Sequence, residues 1–337
     1  VLIVEGVMRY AVSNSGTLAY IPEPSGGSAA KRILVWINRE GKEESISAAP
    51  NAYMNFRISP DGKRVAFFVV STPKTSIWIW DIVRETLTRL TFEEGMDSCD
   101  PIWTLDGKRI VYTSSRESIF LIKGDIYSKA ADGTGEAEKL ASLPGRGLFP
   151  RSWSRDGKNL VVSEFTPSRQ FDIGMISMEG DHARKPLLQE KYNENDPRIS
   201  PDGRWMAYAS NELGKLEVYV RPFPDVNKGK WQVSTSGGNN PLWSPDGREL
   251  YYHIGDAAMA VPVETESTFK AGKPTVLFRG TPNLHSTGVD MTDTTYWDIS
   301  PDGKRFLIMK DAATGTHRKI NIVMNWFEEL KQKVPAK

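Results

Sequence analysis

Ile299-Ser300-Pro301-Asp302-Gly303-Lys304-Arg305 is one of six near-copies of the same stretch in this chain. The others are Ile58-Ser59-Pro60-Asp61-Gly62-Lys63-Arg64, Trp103-Thr104-Leu105-Asp106-Gly107-Lys108-Arg109, Trp153-Ser154-Arg155-Asp156-Gly157-Lys158, Ile199-Ser200-Pro201-Asp202-Gly203-Arg204 and Trp243-Ser244-Pro245-Asp246-Gly247-Arg248. The aspartates fall at 61, 106, 156, 202, 246 and 302, so they recur every 44 to 56 residues. A worn seventh copy, Val12-Ser13-Asn14-Ser15-Gly16-Thr17-Leu18-Ala19-Tyr20, keeps the period, because Ser15 stands 46 residues before Asp61. An Asp-Gly pair between two apolar runs marks a tight hairpin: glycine accepts positive φ and aspartate bonds its own backbone. The residue three before the aspartate is always large and apolar, as a strand entering the turn requires.

Each hairpin is followed by two further strand-like runs. Ser76-Ile77-Trp78-Ile79-Trp80-Asp81 and Leu216-Glu217-Val218-Tyr219-Val220 read as third strands, and Leu87-Thr88-Arg89-Leu90-Thr91 and Trp231-Gln232-Val233-Ser234-Thr235 as fourth ones. Four short strands in roughly 45 residues make one propeller blade. The hairpins at 12–20, 58–68, 103–113, 153–163, 199–209, 243–252 and 299–309 therefore predict one all-β domain over 1–337: a seven-bladed β-propeller of four-stranded antiparallel blades. A six-bladed ring with one irregular flanking unit is the alternative. The last unit supplies strands near 296–299, 305–309 and 320–325, and residues 1–4 are expected to add its fourth strand and close the ring, leaving no open sheet edge. A short helix is expected over 326–333.

Composition removes several classes of function. Lysine and arginine total 43 against 42 acidic residues, so nothing points to nucleic acid. No window is apolar enough to insert in a membrane. The chain starts on Val1 and not Met, which predicts a piece of a longer precursor. Cys99 stands alone, so neither an internal disulfide nor a thiolate metal site is expected. The histidines, His182, His253, His285 and His317, share no repeat position, and neither a metal nor a cofactor is expected. No Gly-x-Ser-x-Gly nucleophile elbow occurs.

The Ser-Pro-Asp-Gly-Lys/Arg hairpins resemble the TolB-type propeller repeat, and in blade layout the WD-like repeats, over nearly the whole chain. Three stretches also resemble propellers associated with bacterial membrane-anchored serine/threonine kinases. They are Glu217-Val218-Tyr219-Val220-Arg221-Pro222-Phe223-Pro224, Gly229-Lys230-Trp231-Gln232-Val233-Ser234-Thr235 and the ending Asn321-Ile322-Val323-Met324-Asn325-Trp326-Phe327-Glu328-Glu329-Leu330. The resemblance implies a bacterial, extracytoplasmic (periplasmic or membrane-anchored) binding or sensing module, and it supplies no catalytic residue.

The repeated aspartates are read as turn residues, since one per blade cannot converge on one substrate. The candidate site lies six positions before each of them, where innermost strands begin at one end of the central channel: Arg9, Asn55, Asp100, Pro150, Asp196, Asn240 and Tyr296. Polar yet varied residues in a ring suggest that Arg9, Asn55, Asp100, Asp196, Asn240 and Tyr296 hold a polar ligand, peptide or protein, with the chain itself monomeric. The competing reading is a glycoside hydrolase or lyase using Asp100 and Asp196 as its carboxylates across the channel. A third reading takes the polar ring as solvated strand ends. The residues leave the three open.

Overall fold

The computed structural model describes residues 7–22, 31–71, 74–116, 123–166, 170–280, 296–312 and 321–327. The chain is all-β, with seven antiparallel sheets that match the seven hairpins one for one. It divides into two compact units, Val1–Lys31 with Asp311–Lys337, and Arg32–Lys310.

The first unit holds the worn copy. Val7–Val12 pairs with Leu18–Pro22, which pairs in turn with Asn321–Val323. A Cβ on Gly16, in the turn, would lie 2.9 Å from the Phe327 ring. Residues 320–325 were expected to be the third strand of the last blade; instead Asn321–Val323 lies against Leu18–Pro22. Trp326 and Phe327 carry helical backbone. The rest of the helix expected over 326–333, and the closing strand expected at 1–4, fall outside the described residues.

The second unit contains the other six sheets. Each begins with an innermost strand: Tyr53–Ile58, Asp97–Trp103, Gly147–Trp153, Glu194–Ile199, Asn239–Trp243 and Trp297–Ile299. The second strands, such as Arg64–Val69 and Trp205–Ser210, are buried almost throughout, since sheets cover both of their faces. That is why Val65-Ala66-Phe67-Phe68 is a continuous apolar run. The outer strand Thr86–Arg89 is exposed at alternate positions. In the last sheet Trp297–Ile299 and Arg305–Asp311 are completed by Arg32–Asn38 and Glu43–Ser45, so the third and fourth places go to strands from the beginning of the unit.

Neighbouring sheets are joined in two ways. Trp103 Nε1 donates to the Arg57 carbonyl (3.0 Å), Trp153 Nε1 to Trp103 (2.8 Å), Trp243 Nε1 to Arg198 (3.0 Å) and Trp297 Nε1 to Asn240 (3.0 Å). This accounts for the repeated tryptophans as blade-to-blade donors. The second joint lies in the turns. The glycine of each turn faces the residue at the proline position of the turn before it: Gly107 faces Pro60, Gly157 Leu105, Gly203 Arg155, Gly247 Pro201 and Gly303 Pro245. Gly62 faces Pro301, and the six turns close on themselves.

Candidate functional site

The turns behave as the sequence predicts. Ser154 Oγ donates to Asp156, whose carboxylate also accepts the Lys158 N–H. The hydroxyl bonds from Thr104, Ser154, Ser244 and Ser300 hold Asp106, Asp156, Asp246 and Asp302 below the ordinary carboxylate range. These aspartates are spent on the turn.

The residues six positions before them lie elsewhere than at a rim. Asn55, Asp100, Asp196 and Asn240 are 4, 4, 1 and 8 % exposed. Their φ values are +29, +50, +52 and +47°, in the left-handed region that asparagine and aspartate tolerate best. Each sits where the pairing of the innermost strand slips, as in a β-bulge. In three of them the next residue is Pro101, Pro197 or Pro241, which has no N–H to give to a ladder. The four therefore share a backbone cause for their polar side chains. They pair across neighbouring sheets: Asn55 Nδ2 donates to Asp100, and Asn240 Nδ2 to Asp196. Tyr296 is partly buried, packed against the core cluster that includes Tyr53 and Leu307. Pro150 is buried, and in its strand the slip falls at the next residue, Arg151. Arg9 belongs to the other unit, in the strand Val7–Val12.

Beside this layer lies a charged group that the count of six missed. Arg151 meets Asp100 at 3.4 Å, with both side chains 3 % exposed. Arg198 Nη1 donates to the Arg151 carbonyl at 2.7 Å, and Arg57 Nη1 to the Phe56 carbonyl at 3.1 Å. The Asp298 carboxylate accepts the Ile58 N–H at 2.9 Å. Burial pulls Arg57 below the ordinary arginine range, against the opposing pull of Asp298, Asp196 and Asp100. Burial likewise raises the Asp298 carboxyl, and Arg57 opposes it. Three arginines and three aspartates thus neutralise one another inside the ring, as buried charges must. Counting four back from the hairpin aspartate would have found Arg57, Arg198 and Asp298, each a charged residue one position before the isoleucine that ends its strand.

The arginines, and not the paired Asn and Asp layer, face open space. A cavity of about 360 Å³ at the hairpin-turn end of the channel is lined by Arg57, Arg151, Arg155 and Arg198, with Asp298 its one carboxylate among the described residues. The void around Asn55, Asp100, Pro101 and Pro150 measures only about 10 Å³. Cys99 is buried, and its thiol is pushed well up by that burial and by Asp100, so it is no nucleophile. The His253 ring packs against Trp297, tilted by 38° with centroids 3.9 Å apart, and His182 bonds the Ser177 carbonyl, while His285 and His317 lie outside the described residues. Among the described residues no group of three or more His, Cys, Asp or Glu side chains could hold a metal ion, and no helix is long and apolar enough to cross a membrane.

No family model matches the chain. The uncharacterized peptidase YuxL of Bacillus subtilis is 26 % identical over 194 residues, 45 % of this chain and 28 % of that protein. The Tol-Pal system protein TolB of Francisella tularensis is 24 % identical over 243 residues, 69 % of this chain and 53 % of that one. The chain thus spans about half or less of the length of these two relatives. A solved structure assigned as TolB, from Agrobacterium tumefaciens, superposes with a TM-score of 0.63 at 18 % identity, covering 85 % of this chain and all of that one. The narrower kinase-associated likeness rests on the sequence motifs alone. The chain has the fold of the TolB-type β-propellers, and TolB proteins are among its sequence relatives.

Proposed function

We propose that Arg32–Lys310 is a non-catalytic binding module that holds a polar ligand, peptide or protein segment at the hairpin-turn end of its channel. One observation carries this reading: a cavity of about 360 Å³ opens onto four arginines, three of them balanced by Asp100, Asp196 and Asp298 and the fourth, Arg155, an exposed addition to that set. A pocket of that size suits a small ligand or the end of a chain. Asn55, Asp100, Asp196 and Asn240 serve it from behind, fixing the innermost strands and balancing the arginines. The enzyme reading needs Asp100 and Asp196 open to substrate, whereas both are at least nine-tenths buried and amide-bonded. The family likeness supports an extracytoplasmic location, which fractionation of the native host would check.

The test is to follow the side-chain NMR signals of Arg57, Arg151, Arg155 and Arg198 against panels of anionic, neutral and cationic small molecules. Saturable shifts of these signals by anionic or neutral polar compounds are expected. Binding that moves other signals and leaves these four still would overturn the proposal.

A further inference from the structure

The proline position of the six turns in the ring carries Pro60, Leu105, Arg155, Pro201, Pro245 and Pro301. The two exceptions sit on neighbouring sheets and line the cavity between Pro60 and Pro201, which line it too, whereas Pro245 and Pro301 do not. The turns themselves do not call for the change. Gly107 N–H donates to the Thr104 carbonyl at 2.8 Å and Gly157 N–H to Ser154 at 2.9 Å, as Gly62 N–H does to Ser59 at 2.8 Å in a proline turn. Leu105 is 51 % exposed, a large apolar side chain open to solvent. Arg155 is exposed too, and its guanidinium has no hydrogen-bond or ion-pair partner among the described residues.

Resting on the reading above, we infer that the cavity takes the terminal carboxylate of an extended peptide whose last side chain is apolar. Arg155 and the arginines below it meet the carboxylate, and a guanidinium grips such a group through two parallel hydrogen bonds. Leu105, with Ile102 and Trp153 on the same wall, meets the apolar side chain. A sugar acid would bring several hydroxyls that need partners, yet three of the four hydroxyl groups of this wall, those of Thr104, Ser154 and Ser200, already give their hydrogens to the turn aspartates. The fourth, Ser152 Oγ, accepts the Ile199 N–H.

The experiment titrates the whole chain with three probes: N-acetyl-leucyl-leucine, its C-terminal amide, and galacturonate. The free acid is expected to bind at least tenfold tighter than the amide and than galacturonate. Arg155→Pro restores the common turn residue, so it is expected to weaken the acid at least tenfold while the melting temperature holds or rises. Equal affinity for acid and amide, both moving the four arginine signals, would leave the channel reading standing and remove the carboxylate. Tighter binding of galacturonate would assign the site to sugar acids and overturn the peptide. Unchanged affinity in Arg155→Pro would also overturn it. If no probe moves the arginine signals, the peptide reading falls, and the wider panels decide the channel reading.

Discussion

Pro301 Cδ lies 3.2 Å from the place a Cβ would occupy on Gly62, although 239 residues separate the two. This contact closes the circle of turns. Gly62 has φ +71°, and Gly95 has φ +74° with nothing near its side-chain position. Any side chain at positive φ is strained by about 1–2 kcal/mol. Gly62→Ala should therefore cost that much plus the Pro301 overlap, and Gly95→Ala the strain alone. Chemical denaturation of both variants compares them, and equal losses would show that the seam contact carries no weight.

Asp100→Ala removes the partner of a buried arginine. With Arg151 left buried and short of a charge, the fold should lose about 3–5 kcal/mol. The melting temperature should fall by roughly five degrees for a chain of this size. A loss under about 1 kcal/mol would mean that the pair behaves as a surface contact.

Glu194 should make stability depend on pH. Burial, with the Glu190 and Asp172 carboxylates behind it, pushes its carboxyl up to about 8. In an unfolded chain the group titrates near about 4.3. Folding therefore favours the protonated acid, and this contribution is complete below about pH 4.3 and fades as the pH rises through 8. Glu194→Gln stays neutral, so it should match the wild type in acid and gain on it toward pH 8 by a few kcal/mol, since solvent screening reduces the full value of about 5 kcal/mol. Melting curves of both proteins across that interval check it; parallel profiles would end the argument.

Leu105→Pro should stabilise the fold. The Leu105 N–H makes no backbone hydrogen bond among the described residues, and four other turns already carry proline there. Restricting the unfolded chain is worth about 0.4–1 kcal/mol where the native backbone suits proline. A lowered denaturation midpoint would show that the Thr104 turn differs from its siblings.

The hairpins were legible because their chemistry is local: Ser-Pro-Asp-Gly and its variants carry their own hydrogen bonds, and six of the seven sheets begin with such a turn around an Asp-Gly pair. The partner of Arg32–Asn38 was not legible. Arg-Ile-Leu-Val-Trp-Ile-Asn reads as a third strand, but nothing local says that it joins the sheet of Trp297–Ile299 across most of the chain. The ring of Asn55, Asp100, Asp196 and Asn240 was legible as polar, and its variety suggested a ligand. The backbone offers a second cause, for the four alternate between just two amino acids, the pair that best tolerates left-handed φ. Arg57, Arg198 and Asp298 were hidden because they lie far apart in sequence, and their charges only make sense once the strands are seen to converge.

The last sheet of Arg32–Lys310 is stitched from both ends of that unit, which makes the unit a loop without terminal repeats. A linear array of repeats can fray from its ends, one repeat at a time. Here the outermost pieces of sequence are locked side by side, so no blade is first to leave. Cooperativity is thus built into the wiring: releasing the strands Arg32–Asn38 and Glu43–Ser45 unfastens the whole circle at once.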